Sequence, residues 1–511
     1  MARVMSIATP TSIMLMFAFT FRPIVSHLDF HHKHNVGKYV SPKTVVTLKN
    51  GKVQGYTSEL NHRAIHVYKG IPYSEPPEEE YRFEKPTPKE EWDGYWDATE
   101  YGPKCPQWDS NSNSFNNGAE DCLSYNVFAR AECLTNSCPV IVFLSTDAQA
   151  KERRIINQFL AREFVVVTFN FRSGILGFLN LGVSKDDAPL NVGFNDITLA
   201  LETISSEIGK FGGDPSQITV ISEQSNIVEY LMATGAKTFA KAITISTTPA
   251  QLNSQLNAEA SRAVMRQLGC ERPDLDSILS CLRAVDVADL VAAGVQGMSP
   301  EADADALPFV SLESMMKQWR EVPLLFIQQV PSTLSTDISK LCQAYTPLFS
   351  FPVTVSECER HYKSAAALIS DVSAAYAEKI MAMNKQNGIV VSFDNNDEDL
   401  STVFLDFASQ DADLNKIKSA LVAQGGKPLE LSNSAALWLQ NSADRFVTKR
   451  HLLRIPNNPN RHRRYVARAT DPKMEQFALY LCCGLVLFIV LVVCFLAAVF
   501  YRRNVSLQIA L

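Results

Sequence analysis

No segment of this chain repeats another and none is of low complexity, which excludes solenoid and compositionally disordered classes. Residues 27–476 contain no Asn-x-Ser/Thr acceptor. The single instance, Asn504-Val505-Ser506, stands ten residues or fewer from the C-terminus. Histidine is missing between His361 and His451, and no carboxylate occurs from Gln328 to Ser335. Charge is absent from residues 477–501, FALYLCCGLVLFIVLVVCFLAAVFY. An uncharged run of that length matches the hydrocarbon thickness of a bilayer and reads as a transmembrane helix.

The rest of the 511 residues, 46% hydrophobic across the chain, suffice for one large core or two modest ones. Arg3, the apolar run Ile13–Phe21 and the residues up to Ser26 fit a secretory signal peptide over 1–26. With Arg502 and Arg503 directly after the apolar run, the expected topology is a single-pass type I plasma-membrane protein, its bulk extracellular. Eight Lys/Arg against one acid between Lys449 and Lys473 argue the other way, but a signal peptide commits the long domain to translocation first. The expected segments are the signal peptide, a linker over 27–43, an ectodomain over 44–456, a stalk over 457–476, the membrane helix over 477–501 and a cytoplasmic tail over 502–511.

Eight of the eleven cysteines lie before the membrane run, in close neighbours: Cys105 and Cys122, Cys133 and Cys138, Cys270 and Cys281, Cys342 and Cys358. An oxidising compartment pairs such neighbours into small loops, although sequence alone leaves the pairing open. Short β-branched or aromatic runs recur at 139–144, 164–171, 218–222, 242–246, 322–327 and 388–393, with helix-like stretches such as 194–211 and 226–232 between most of them. Apolar strands alternating with helices predict an α/β fold: a large, mostly parallel central sheet covered by helices on both faces. Residues 44–56 alternate polar and apolar around Asn50-Gly51, which predicts a small N-terminal antiparallel element with a left-handed hairpin turn.

Five strings carry a more specific likeness: KGIPYSEPP (69–77), WDGYWDATEYGPKCPQ (92–107), EDCLSYNVF (120–128), NFRSGILGFLNLG (170–182) and FGGDPSQITV (211–220). On these the chain resembles the cholinesterase/carboxylesterase type B family of α/β-hydrolases over roughly residues 44–460. The resemblance implies disulfides Cys105–Cys122 and Cys270–Cys281; Cys133 with Cys138 and Cys342 with Cys358 are paired by proximity only. It also implies where a catalytic site should be, and there this sequence departs. The nucleophile elbow G-x-S-x-G needs a hydroxyl at the tip of a strained turn and small flanking residues. Here ITVISEQSNI (218–227) carries the amide Gln224 at the tip, between Ser222 and Asn226. Reframing on Ser225 leaves neither glycine in place.

The other elements of such a site are altered as well. The glycine turn whose N–H groups face a developing oxyanion is replaced by Ser145, Thr146, Asp147 and Ala148. Asn396 stands at the position of the general base, and without an imidazole a serine has no proton acceptor. Ser332 stands at the position of the orienting acid, with Asp337 the nearest carboxylate. The segment between Pro331 and Asn396, which supplies the roof of the gorge in the family, is shortened. No cofactor, metal or nucleic-acid partner is implied.

The chain therefore resembles the catalytically inactive, membrane-anchored adhesion branch of the family that includes neuroligin, neurotactin and gliotactin. The expected function is non-catalytic cell-surface adhesion or recognition of an extracellular protein partner; the alternatives are a residual or altered ester hydrolase, and a scaffold or export partner for another secreted protein. Three further expectations concern the C-terminal part. The resemblance implies homodimers through helices near the C-terminal end, and residues 431–446 resemble the family's helix there, with Leu431, Ala435, Leu439 and Ala443 on one face, against the plainer reading of an ordinary packing helix. Arg461, Arg463 and Arg464 have the spacing of a furin-type cleavage site, against the plainer reading of a basic stalk near lipid headgroups. Ile509-Ala510-Leu511 has the form of a PDZ ligand, which free C-termini also reach by chance.

Overall fold

The computed structural model describes residues 43–109, 112–144, 159–182, 188–223, 227–246, 254–294, 298–303, 305–308, 315, 318–329, 338–345, 354–362, 388–393, 401–409, 414–423 and 427–428, with isolated positions between 364 and 384. All of them fall in the first of two units of the chain. The expected signal peptide, the helix over 431–446, the stalk with its arginines, the membrane run and the C-terminus lie outside the described residues. Among the described residues no helix is long and apolar enough to cross a membrane.

Among the described residues fourteen strands follow one another: β1 (Lys43–Thr47), β2 (Lys52–Leu60), β3 (Arg63–Pro72), β4 (Tyr95–Asp97), β5 (Trp108–Asp109), β6 (Ser114–Phe115), β7 (Ser124–Arg130), β8 (Cys138–Leu144), β9 (Val165–Phe169), β10 (Gly213–Glu223), β11 (Lys241–Ser246), β12 (Leu324–Gln329), β13 (Gly388–Phe393) and β14 (Lys427–Pro428). Twelve of them form one sheet in the order β1-β2-β3-β7-β9-β8-β10-β11-β12-β13-β14, with β4 beside β2. From β9 to β13 every neighbouring pair is parallel. The flank from β1 through β7 to β9 is antiparallel. The antiparallel part is thus larger than the single hairpin expected from residues 44–56, because β3 and β7 join it to the parallel strands.

Side chains of the parallel strands alternate between two cores, as a strand period of two requires. Val140, Val142, Val165, Val167, Ile218, Val220, Leu324 and Phe326 enter one cluster, which also holds Ile197, Leu201 and Ile204 of the helix Val192–Glu207. Ile141, Phe143, Val166, Ile221, Ile243, Leu325 and Ile327 enter the other, covered by Phe407, Ile417 and Leu421 from the helices Ser401–Ala408 and Leu414–Ala423. A sheet buried on both faces explains why these strands read as continuous apolar runs. This architecture fits the α/β-hydrolase fold expected from the resemblance.

The β1–β2 hairpin forms with Thr47 opposite Lys52. The left-handed turn expected of Asn50 is not adopted; glycine is needed at position 51 for another reason. A Cβ there would come within 2.4 Å of the Trp92 indole nitrogen, which donates to the Lys52 carbonyl at 3.0 Å, while the Trp92 N–H donates to the Asn50 carbonyl at 2.8 Å.

Two buried arginines join distant segments. Arg172, just after β9, is 3% exposed and pairs in a fork with Asp196 of Val192–Glu207 at 2.8 and 2.7 Å. Arg82 donates to both carboxylate oxygens of Glu120 and to the carbonyls of Leu282, Arg283 and Val285. Four disulfides add covalent closure: Cys105–Cys122, Cys133–Cys138, Cys270–Cys281 and Cys342–Cys358. They join the same pairs of neighbours singled out in the sequence.

Candidate functional site

In a parallel sheet the carboxyl ends of all strands meet one edge, and α/β proteins bind their ligands along it, outside a switch in strand order. Here the switch falls between the neighbours β8 and β10, since the chain goes from β8 to β9 on one side and from β10 to β11 on the other. Leu144 of β8 is opposite Ser222 of β10, Ser222 is opposite Thr244 of β11, Ser246 is opposite Gln328 of β12, and Gln329 is opposite Phe393 of β13. These ends form one row.

Each altered position follows the end of one of these strands in the chain. Ser145 to Ala148 follow Leu144, Gln224 follows Glu223, Ser332 comes three positions after Gln329, and Asn396 comes three after Phe393. All of these positions, with Ser225, Asn226 and Asp337, lie outside the described residues. The geometry around the elbow is nevertheless bounded on both sides. β10 ends at Glu223 and the next described helix begins at Ile227.

The described residues next to these ends of β10 and β11 are buried. Ser222 and Thr244 are buried on their strands. Glu229, the third residue of the helix Ile227–Ala233, is completely buried, and the Thr244 hydroxyl donates to its carboxyl oxygens only at 3.4 and 3.5 Å. Burial pushes the Glu229 carboxyl up to about 8, with its own N–H and Thr244 pulling weakly downward. A carboxyl that keeps its proton at neutral pH is no proton acceptor there. Glu229 escaped sequence reasoning, which took NIVEYLM as an ordinary short helix. The signal was present: one acid among apolar residues directly after the elbow.

Beside the segment that follows β9, a second buried polar group is fully tied into structure. Asn191, in the left-handed conformation that starts Val192–Glu207, donates to the Glu301 carbonyl at 2.8 Å and to Asp303 at 2.6 Å, and accepts from the Glu301 N–H at 2.9 Å. Asn180 donates to Glu301 Oε1 at 2.6 Å. Burial raises the Glu301 carboxyl to about 7; Asn180 and Asn257 oppose the rise, and Asp303 adds to it. Among the described residues no group of three or more His, Cys, Asp or Glu is arranged to hold a metal ion.

The described histidines have other surroundings. His66 on β3 bonds Thr57 on β2 at 3.3 Å and is held below the ordinary imidazole range by burial. His62 pairs with exposed Glu59, and His361 meets the Tyr362 ring edge-on. A cleft of about 420 Å³ opens on the antiparallel flank, lined by Thr44, Val46, His66, Tyr68, Leu134 and Lys210, rather than at the strand ends.

The sheet order and the two cores coincide with a sequence match to the family described as Carboxylesterase family, over residues 42–422. The chain belongs to the carboxylesterase family. Among curated relatives it is similar to para-nitrobenzyl esterase of Bacillus subtilis (strain 168), with 35% identity over 49% of this chain and 53% of that protein. It is similar to acetylcholinesterase 4 of Caenorhabditis briggsae, with 30% identity over 48% of this chain and 44% of that protein. It is also similar to mouse thyroglobulin, with 30% identity over 46% of this chain and 9% of that protein. The chain spans about half the length of the curated esterases it matches.

Proposed function

We propose that this chain is a non-catalytic member of the carboxylesterase family that acts by adhesion or recognition at the cell surface, a single-pass plasma-membrane protein with its family domain extracellular. The observation that carries the reading is that the departures from the family's chemistry coincide in sequence with the ends of four neighbouring or near-neighbouring parallel strands. Gln224 supplies no attacking hydroxyl, Asn396 no imidazole, Ser332 no carboxylate, and Ser145-Thr146-Asp147-Ala148 no glycine turn. In a triad enzyme the loss of serine or histidine alone costs on the order of a million-fold in kcat. The remainder comes from the oxyanion hole and substrate binding, and the first of these is altered too.

The placement outside the cell rests on the apolar N-terminal run, the uncharged residues 477–501, and eight cysteines joined in four disulfides, a usage typical of oxidising compartments. With the reacting groups gone, the surface is what remains to act, and a protein partner on another cell or in the matrix is the ligand class that such a surface fits. Likeness to thyroglobulin as well as to proteins named as esterases is compatible with a domain kept for its shape.

Two measurements test this. Full-length chain displayed on cultured cells should be reached by an antibody to the family domain without permeabilisation and should make those cells adhere to cells bearing a partner. Purified chain should remain unlabelled by a fluorophosphonate probe. Saturable, inhibitor-sensitive ester turnover would sink the non-catalytic reading.

A further inference from the structure

The segment between β3 and β4 carries an exposed phenol in an unusual electrostatic setting. Tyr81 is 55% exposed and ends a three-residue turn, Glu79–Tyr81. Glu78, Glu79 and Glu80 before it are all exposed. None of the three has an ion-pair partner among the described residues. The cations nearby are already engaged: Arg82 forks onto Glu120, Lys85 pairs with Asp305 at 2.5 Å, and Lys89 pairs with Glu75 at 2.6 Å. Tyr81 therefore directly follows three exposed carboxylates that no cation among the described residues neutralises.

The turn itself is weakly held. No side chain caps it, and it is closed by the Tyr81 N–H to the Glu78 carbonyl at 2.9 Å and a long contact from Arg82 to Glu79 at 3.3 Å. Such short 3₁₀ turns have poor hydrogen-bond geometry, and Glu79 adopts a positive φ of 53°, a conformation unfavourable for a side chain of its kind. Residues 78–81 can therefore straighten at small cost while buried Arg82 and Phe83 anchor the following chain. Tyr95 makes the contrast. It is 58% exposed and also flanked by acids, but it is paired with Lys52 in the β2–β4 ladder, and the Lys52 ammonium lies 5.6 Å from its ring.

We propose that Tyr81 is an acceptor for tyrosine O-sulfation by a secretory-pathway sulfotransferase with a basic peptide cleft. In the transfer, the phenol gives its proton to the transferase and the phenolic oxygen attacks the sulfur of an adenylyl phosphosulfate donor. The oxygen–sulfur ester bond forms as the bond from sulfur to the phosphate oxygen breaks, and the electron pair leaves on the nucleotide phosphate. Nothing is oxidised or reduced. The three glutamates guide the segment into the basic cleft, and the product adds a fixed negative charge to the same surface, which an arginine-bearing partner reads through charge-assisted hydrogen bonds.

The proposal rests on the extracellular reading above, and its test has a cellular and a purified arm. Full-length chain from secreting cells is digested with trypsin, and the peptide Gly70–Arg82 is weighed and fragmented. The expected result is the added mass of one SO₃, lost on fragmentation, resistant to phosphatase, absent after growth in chlorate and absent from Tyr81→Phe, with no such mass on the peptide bearing Tyr95. In the second arm, full-length chain from chlorate-treated cells is incubated with a purified tyrosylprotein sulfotransferase and its donor. Transfer should occur at Tyr81 and fall about tenfold when Glu78, Glu79 and Glu80 are changed together to Gln. Transfer in the purified arm without sulfate in the cellular arm upholds Tyr81 as the acceptor and counts against the chain's passage through the secretory lumen. No transfer to Tyr81 in the purified arm, a phosphatase-sensitive modification in its place, or equal transfer to Tyr95 overturns the proposal.

Discussion

At the scale of single residues the most consequential group is Glu229. Its carboxyl titrates near 8 in the fold, against an ordinary value of 4.5, because burial removes the water that would stabilise its charge. Between those two values the folded chain holds a proton that the unfolded chain has lost, so stability falls as pH rises across that window and levels off above it. Glu229→Gln keeps the shape and removes the titration. It should therefore stabilise the protein increasingly from about pH 5 upward, by about 4 kcal/mol near pH 8. Denaturant unfolding of both proteins across that range measures this directly; a parallel pair of pH profiles would show that the buried carboxyl is not the cause. Glu301, raised to about 7, retains a slope of the same sign in both proteins.

At the scale of elements, legibility followed burial. The runs at 139–144, 164–171, 218–222, 242–246, 322–327 and 388–393 correspond to β8 through β13, since a strand buried on both faces has no polar side to interrupt it; β10 alone extends well beyond its run, by the partly exposed residues 213–217. β7 was not read as a strand although all seven of its residues are buried. Ser124, Asn126 and Arg130 break its apolar pattern, and only the structure shows how one of them is accommodated. Asn126 accepts from the Gly70 N–H at 2.9 Å and donates to the Thr168 hydroxyl at 3.0 Å, bridging the strands on either side. Hydrogen bonds between residues so far apart in sequence leave no local trace. The helices Ile338–Tyr345 and Val355–His361 give the prediction at this scale. They are joined by Cys342–Cys358 across 16 positions. Changing both cysteines to serine should lower the unfolding free energy by about 3 kcal/mol, the value for a loop of this length. The readout is the shift in urea midpoint at unchanged slope.

At the scale of the whole molecule, the sheet that would seat a catalytic site is present and the groups that would use it are read from sequence alone. The expectation of altered positions rests on the family strings, which fix the alignment around them; those positions lie outside the described residues. If the loss of chemistry is distributed over four strand ends, no single reversion restores it. Gln224→Ser in the full chain should leave p-nitrophenyl ester hydrolysis at the background rate and the fluorophosphonate probe unreacted. A single-site rescue would mean that an unrecognised base and oxyanion donors survive at the strand ends.

The grip of Arg82 on the carbonyls of Leu282, Arg283 and Val285 spans 200 positions or more. A ribosome extending the chain at about 5–20 residues per second needs about 10–40 s to cover that span. For that interval the guanidinium has emerged and the oxygens it will bind have not been synthesised. The segment around Arg82 therefore waits for partners that arrive much later, and a chaperone in the compartment of synthesis has its longest opportunity to act there.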